Sequence, residues 1–112
     1  MADFRTVVHK SVEYKVSACG VVSPYAARRR PNLLIPIDED QVERAMLFLR
    51  ECTVPHDRRR EHSYVLKHVA ERYAGDYVSN GAFIEAALRL GYKVVPIDWF
   101  DINAYVYLRI KK

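Results

Sequence analysis

Between residues 62 and 110 the chain carries two helical patterns in direct succession and then two β-prone runs, and this order constrains the fold more than any other feature. From Ser63 to Ala74, Leu66, Val69, Ala70 and Tyr73 recur at helical spacing, Lys67 and Glu71 face away from them, and Gly75 supplies the left-handed residue that closes many helices. Ser79 or Asn80 can cap the next helix, which runs to Leu90 and stops at Gly91. Its stripe is Phe83, Ala86, Ala87 and Leu90, but Ile84 and Leu88 lie outside that stripe. Glu85 and Arg89, four apart in the favourable order, are nearly its only polar side chains. Such a helix is central and buried on most of its circumference. Tyr92 to Ile97 and Ala104 to Ile110 then predict a hairpin around a polar turn, Asp98 to Asn103, that holds Trp99 and Phe100. Ala104, Val106, Leu108 and Ile110 face one way; Tyr105, Tyr107 and Arg109 face the other.

The helix before this block is equally well marked. Asp38 can accept backbone N–H groups as N-cap, Gln41 stands where the second member of a capping box belongs, and Ile37 with Val42 has hydrophobic-staple spacing. Val42, Ala45, Met46 and Leu49 form its stripe, Glu39, Asp40 and Glu43 complement the positive end of its dipole, and Pro55 ends the segment. Upstream, Val12, Tyr14 and Val16 alternate with Glu13 and Lys15 as in a half-buried strand. Ser23 to Pro31, with two prolines and an arginine triplet, reads as an exposed loop. Leu33 to Ile37 contains Pro36 and reads as an edge strand or an extended lead-in. The expected fold is α+β: three helices with a small antiparallel sheet, in a winged-helix-like order of elements in the C-terminal half. The 112 residues are expected to form a single domain, with an N-terminal strand and basic loop over 1–37 and three helices plus the β-hairpin over 38–112.

Hydrophobic residues make up 50% of the chain and charged residues 29%, a globular balance that excludes a disordered polyelectrolyte. No stretch approaches the 18 apolar residues of a membrane span and the start carries no apolar leader, so a cytoplasmic location without membrane association is expected. Cys19 and Cys52 are too few for a disulfide scaffold and lack the spacing of a zinc site, so both are read as free thiols.

The net charge of +4 is modest, but it is segregated. Residues 1–30 hold six basic and two acidic groups, 31–57 two and six, and 58–75 five and two. Two triplets, Arg28, Arg29, Arg30 and Arg58, Arg59, Arg60, flank the acidic helix. Each is either a solvated loop run or a polyanion contact. If nucleic acid is bound, phosphate contacts are expected from Arg58, Arg59, Arg60, Lys67, Lys93 and Arg109, with little direct base readout. The third helix offers base edges little beyond Asn80 and Arg89. Tyr105 and Tyr107, with Arg109 and Tyr14 from a neighbouring strand, form a second candidate surface, suited to stacking on bases or to a protein hot spot unless the chain's own N-terminal arm covers it.

Signals for catalysis are absent. His62 and His68 are six apart and point in different directions from a helix, Pro55 interrupts any helix between Cys52 and His56, and His9 stands alone, so no metal site is expected. There is no G-x-S-x-G elbow and no glycine-rich phosphate loop, and nothing local marks either cysteine as activated. Dipole complementarity explains the cluster Asp38, Glu39, Asp40 and Glu43 without paired-carboxylate chemistry. No cofactor is expected, and binding is favoured over catalysis.

The segments Ser63-Tyr-Val-Leu-Lys-His-Val-Ala-Glu-Arg-Tyr, Tyr77-Val-Ser-Asn-Gly-Ala-Phe-Ile-Glu-Ala-Ala and Gly91-Tyr-Lys-Val resemble a pattern in small uncharacterised proteins encoded by phages and mobile elements of bacteria. The resemblance spans about residues 63–94 and transfers no active-site residue. It implies a mobile-element origin, in which small basic proteins bind DNA or block host defence nucleases. The expected partners are therefore nucleic acid, met mainly at its phosphates, or a host nucleic-acid-binding protein complex such as a defence nuclease, met by an anti-CRISPR-like inhibitor or adaptor. The oligomeric state is left open.

Overall fold

A computed structural model describes residues 4–110. The first part of the chain forms its own antiparallel sheet of three strands in sequence order, β1 (Thr6–His9), β2 (Val12–Ser17) and β3 (Gly20–Val22). Both connections are tight two-residue turns. Lys10 and Ser11 take positive φ values of 51° and 64°, the geometry that matches strand twist but that usually calls for Asn or Gly. Alternation along β2 buries Tyr14 and Val16 and exposes Glu13 and Lys15, as expected of a half-buried strand. Tyr14 is thereby committed to the core, 3% exposed, and does not join Tyr105 and Tyr107.

The expected loop at Ser23–Pro31 is in fact a helix, α1 (Pro24–Arg29), followed by a single 3-10 turn, Pro31–Leu33. Ser23 accepts from Ala26 N and Pro24 occupies the first turn, where a missing N–H costs nothing. Leu34 to Asp38 is an extended lead-in whose Ile35 carbonyl accepts from Ala18 N at 2.8 Å. The next helix, α2 (Glu39–Leu49), starts where expected, with Asp38 accepting from Asp40 N. Gln41 does not complete a capping box; its Oε1 accepts from Ser79 N at 2.8 Å and ties α2 to the start of the last helix.

Two short strands follow, β4 (Cys52–Thr53) and β5 (Glu61–His62), and then α3 (Ser63–Ala74), α4 (Asn80–Arg89), β6 (Lys93–Pro96), β7 (Ala104–Tyr107) and β8 (Arg109–Ile110). Gly75 closes α3 at φ +80° and Gly91 follows α4 at φ +87°, the left-handed geometry expected at both ends. The hairpin is β6 with β7, and β5 adds to its other side, giving the sheet order β5-β7-β6. The expected strand Ala104 to Ile110 is interrupted at Leu108. Beyond it, β8 pairs with β4 in a separate two-stranded ladder and leaves Ile110 43% exposed.

Helix α4 is the centre of the core. Every residue from Asn80 to Ala87 is buried; α2 and α3 pack on one part of its circumference, the N-terminal sheet and the β6–β7 hairpin on others. Asn80 Nδ2 donates to both Cys19 O and Ile102 O, joining the β2–β3 turn, α4 and the loop before β7. Glu85, 7% exposed in its side chain, is held between Arg5 at 2.8 Å and Arg89 at 2.7 Å. The α+β class and the central third helix of the expected trio are both present, with α1 added and the strands divided among three small sheets. A winged-helix reading of the C-terminal half is not established by this arrangement, because α4, the helix that would have to enter a groove, lies beneath the N-terminal sheet. Two stripe positions also differ: Tyr73, although its ring meets Phe48 edge-on, and Leu90 are 55% and 37% exposed.

Candidate nucleic-acid interface

Antiparallel pairing puts directly opposed residues on the same face. His62, Tyr105 and Val95 therefore form one cross-strand row on the outer face of the C-terminal sheet, and Tyr107 and Lys93 form the next. The inner face is Val94, Ala104 and Val106, all buried. Period-2 alternation thus sends both tyrosines outward while the same strand anchors the core.

The loop from Val54 to Arg60 then brings its arginines to this face. Asp57 accepts from Arg59 N at 2.9 Å and shapes the loop. Arg60 places its guanidinium 3.9 Å from the centroid of Tyr105 and reaches Tyr107 Oη at 3.5 Å. Lys93 Nζ stands 5.0 Å from the Tyr107 ring, and His62 meets Tyr105 edge-on at 6.4 Å. Beside Tyr107 a shallow cavity of about 270 Å³ is bounded by Arg58, Lys93, Asp57, Val54, Pro55 and Gly91. The structure therefore gathers Arg58, Arg60, Lys93, Tyr105 and Tyr107. Arg59 is exposed in the same loop, and Arg109 is exposed in β8 after the chain has left the sheet.

Charge pairing divides the cations, and Lys10, Lys15, Arg50 and Arg72, away from the candidate face, make no ion pair among the described residues. Arg5, Arg44, Lys67 and Arg89 are bound to carboxylates. Among the described residues no carboxylate pairs with Arg28, Arg29, Arg30, Arg58, Arg59, Arg60, Lys93 or Arg109. Unpaired surface cations need no exchange of partners to meet a phosphate, so their contribution to polyanion binding is undiminished.

Lys67 is a correction to the expected contact set. It was read as facing out, yet it is 6% exposed, with Nζ donating to Glu71 Oε2 and Val78 O, each at 3.0 Å. The Tyr77 ring lies 4.6 Å from the same ammonium. Burial raises the Glu71 pKa, but the Val78 N–H, Lys67 and His68 together outweigh it and hold the carboxyl below its ordinary value. A cleft of about 790 Å³ lined by Tyr64, Lys67, His68, Tyr77 and Asn80 is therefore not a free cationic site. Its ammonium is already satisfied.

The other triplet sits at the opposite, turn end of the hairpin. Arg28 and Arg29 close α1 and Arg30 caps it, all exposed. Tyr25 meets Phe100 in an edge contact at 5.4 Å, and Ser23 Oγ donates to Trp99 O at 2.8 Å. Asp98 accepts from the N–H groups of Phe100 and Asp101, which braces a loop whose Trp99 and Phe100 are 56% and 71% exposed. Sequence reading named neither aromatic as a site residue; an aromatic pair within a polar turn was the available signal.

No family model, curated protein or solved structure matches the chain. Among the described residues no helix is long and apolar enough to cross a membrane, and no group of three or more His, Cys, Asp and Glu is placed to hold a metal ion.

Proposed function

We propose that this chain is a non-enzymatic nucleic-acid-binding protein that meets the phosphate backbone through the face carrying Arg58, Arg60 and Lys93, with Arg59 and Arg109 at its margins. One observation carries the reading: a surface with unpaired cations and two tyrosines lies on one sheet face, while the helix that would read a groove is buried. Binding of this kind tracks phosphates and not base sequence. It suits a small accessory protein of a phage or mobile element acting in the bacterial cytoplasm. Five neutralised phosphates give a log K against log salt slope of about −3.5 to −4.5. Electrophoretic mobility shift at low salt tests this. The joint change Arg58→Glu with Arg60→Glu abolishes the shift, and absence of any shift for the unchanged chain at about 50 mM salt overturns the reading.

A second reading rests on Trp99 and Phe100. Tryptophan, tyrosine and arginine dominate protein hot spots; Arg29 lies over Tyr25 on α1, and Tyr25 meets Phe100 next to Trp99 on the braced loop. This favours an inhibitor or adaptor that docks on a host nucleic-acid-binding complex. Pull-down after nuclease treatment discriminates: a specific partner lost on Trp99→Ala with Phe100→Ala, and retained with Arg58→Glu, assigns the docking role to that loop.

A further inference from the structure

We infer that the nucleic acid met by the C-terminal sheet is single-stranded, its bases stacking on the Tyr107 ring and on the Arg60 guanidinium that lies over Tyr105; this rests on the phosphate-binding reading above. Tyr105 and Tyr107 are two residues apart on one strand face, so their side chains are about 6.8 Å apart along the strand. That is twice the roughly 3.4 Å base repeat of a duplex strand. Within a duplex both faces of each interior base are already covered by neighbours, and a tyrosine reaches one only by unstacking a step. An unpaired strand extends to the wider spacing and turns its bases outward without that cost.

The face is built for such a strand. The Arg60 guanidinium at 3.9 Å from the Tyr105 centroid is a second planar plate laid over the first, and its exposed side accepts a base while its N–H groups reach phosphate or base edge. Lys93, 5.0 Å from the Tyr107 ring, is a flexible cation that a base displaces toward the backbone. The cavity of about 270 Å³ beyond Tyr107, with Arg58 and Lys93 in its wall beside Asp57, whose carboxylate accepts from Arg59 N, continues the track past the second ring. Cations thus alternate with aromatic surfaces, the pattern that binds single strands with little sequence preference. The opposite requirement, a polar helix projecting into a major groove, is unmet because α4 is buried from Asn80 to Ala87.

Fluorescence anisotropy of the full chain with an end-labelled oligonucleotide of about 12 nucleotides, as DNA, as RNA and as the DNA duplex, tests the inference. Single-stranded DNA or RNA binds about tenfold or more tighter than the duplex, and the tighter of the two names the source. Tyr105→Leu and Tyr107→Leu each weaken single-strand binding about fivefold or more, whereas Tyr105→Phe and Tyr107→Phe bind as the unchanged chain does. Because the leucine variants risk loosening the sheet, NMR of the unchanged chain supplies an independent reading: upfield shifts of the Tyr107 ring protons on titration with the single strand. Equal or tighter duplex binding, or ring protons unmoved by the single strand, overturns the inference and leaves the phosphate-binding reading standing, provided Arg58→Glu with Arg60→Glu still abolishes binding. No binding to any of the three overturns both.

Discussion

The carbonyl of Ser17 occupies the space in which a side chain on residue 81 would begin, so the first turn of α4 touches β2 through backbone alone. Gly81 N–H donates to Ala18 O at 3.0 Å across the same contact. A methyl group there overlaps the main chain of Ser17 and Ala18, and neither a core helix nor a paired strand moves away cheaply. Gly81→Ala is therefore expected to destabilise the fold by about 3 kcal/mol or more, read as a shift in the urea midpoint. Gly75→Ala is the control. Its Cβ meets nothing within 4 Å, and only the φ of +80° opposes it, a cost of about 1 kcal/mol.

Lys67 and Glu71 are expected to be unequal partners. Glu71→Gln leaves an ammonium whose side chain is 7% exposed without its counter-charge, costing about 2–3 kcal/mol. Lys67→Met keeps the volume and removes the charge, while Glu71 retains the Val78 N–H and His68, so its cost is smaller. The carboxyl also sets an acid limb. Its folded pKa lies below the ordinary 4.5, so its stabilisation is whole above that ordinary value and is lost as pH falls through the lower native one. Glu71→Gln flattens the pH dependence of the midpoint below about pH 4.5.

The two thiols should differ in reactivity. Cys52 is 8% exposed, and burial, aided by the charge of Glu51, pushes its pKa up to about 11. At pH 8 the reactive thiolate is then about one part in a thousand. Cys19 is only partly buried. A thiol reagent at pH 8 is expected to label Cys19 in the native protein and Cys52 only at the rate of unfolding, which peptide mapping after timed labelling distinguishes.

Ser23 both caps α1 and holds the main chain at Trp99. Ser23→Ala removes both hydrogen bonds at a buried position, for about 1–2 kcal/mol. Trp99 is the one tryptophan in the chain, so its fluorescence anisotropy reports the loop directly. It is expected to fall in Ser23→Ala, and an unchanged value shows that Tyr25 and Asp98 hold the loop without the serine.

The elements legible in the sequence are those whose signals are local. Ser79, Gly75 and Gly91 mark helix ends through their own backbone preferences, and the structure places the ends of α3 and α4 at those residues. What escaped depends on distant partners. The serine-proline start of α1 was outweighed by its prolines and arginines, and a helix with no buried residue shows no stripe to read. The charge of Lys67 points to the surface, since the Val78 carbonyl that receives it lies beyond a turn. The β1–β2 turn uses Lys10 and Ser11 at positive φ, where no Asn or Gly announces it. The candidate site divides in the same way. Alternation placed Tyr105 and Tyr107 on one face, but only the pairing of β5 with β7 carries Arg60 over them.

The clasp at Asn80 also bears on synthesis. The amide joins Cys19 to Ile102, and Val21 N–H donates to Ile102 O at 2.9 Å, so the first sheet is completed by groups near the far end of the chain. A ribosome must translate past residue 102, and the exit tunnel must release that segment, before the earliest strands find their last hydrogen bonds. The nascent N-terminal hairpin therefore waits with Val16 and Val21 uncovered until that segment has emerged.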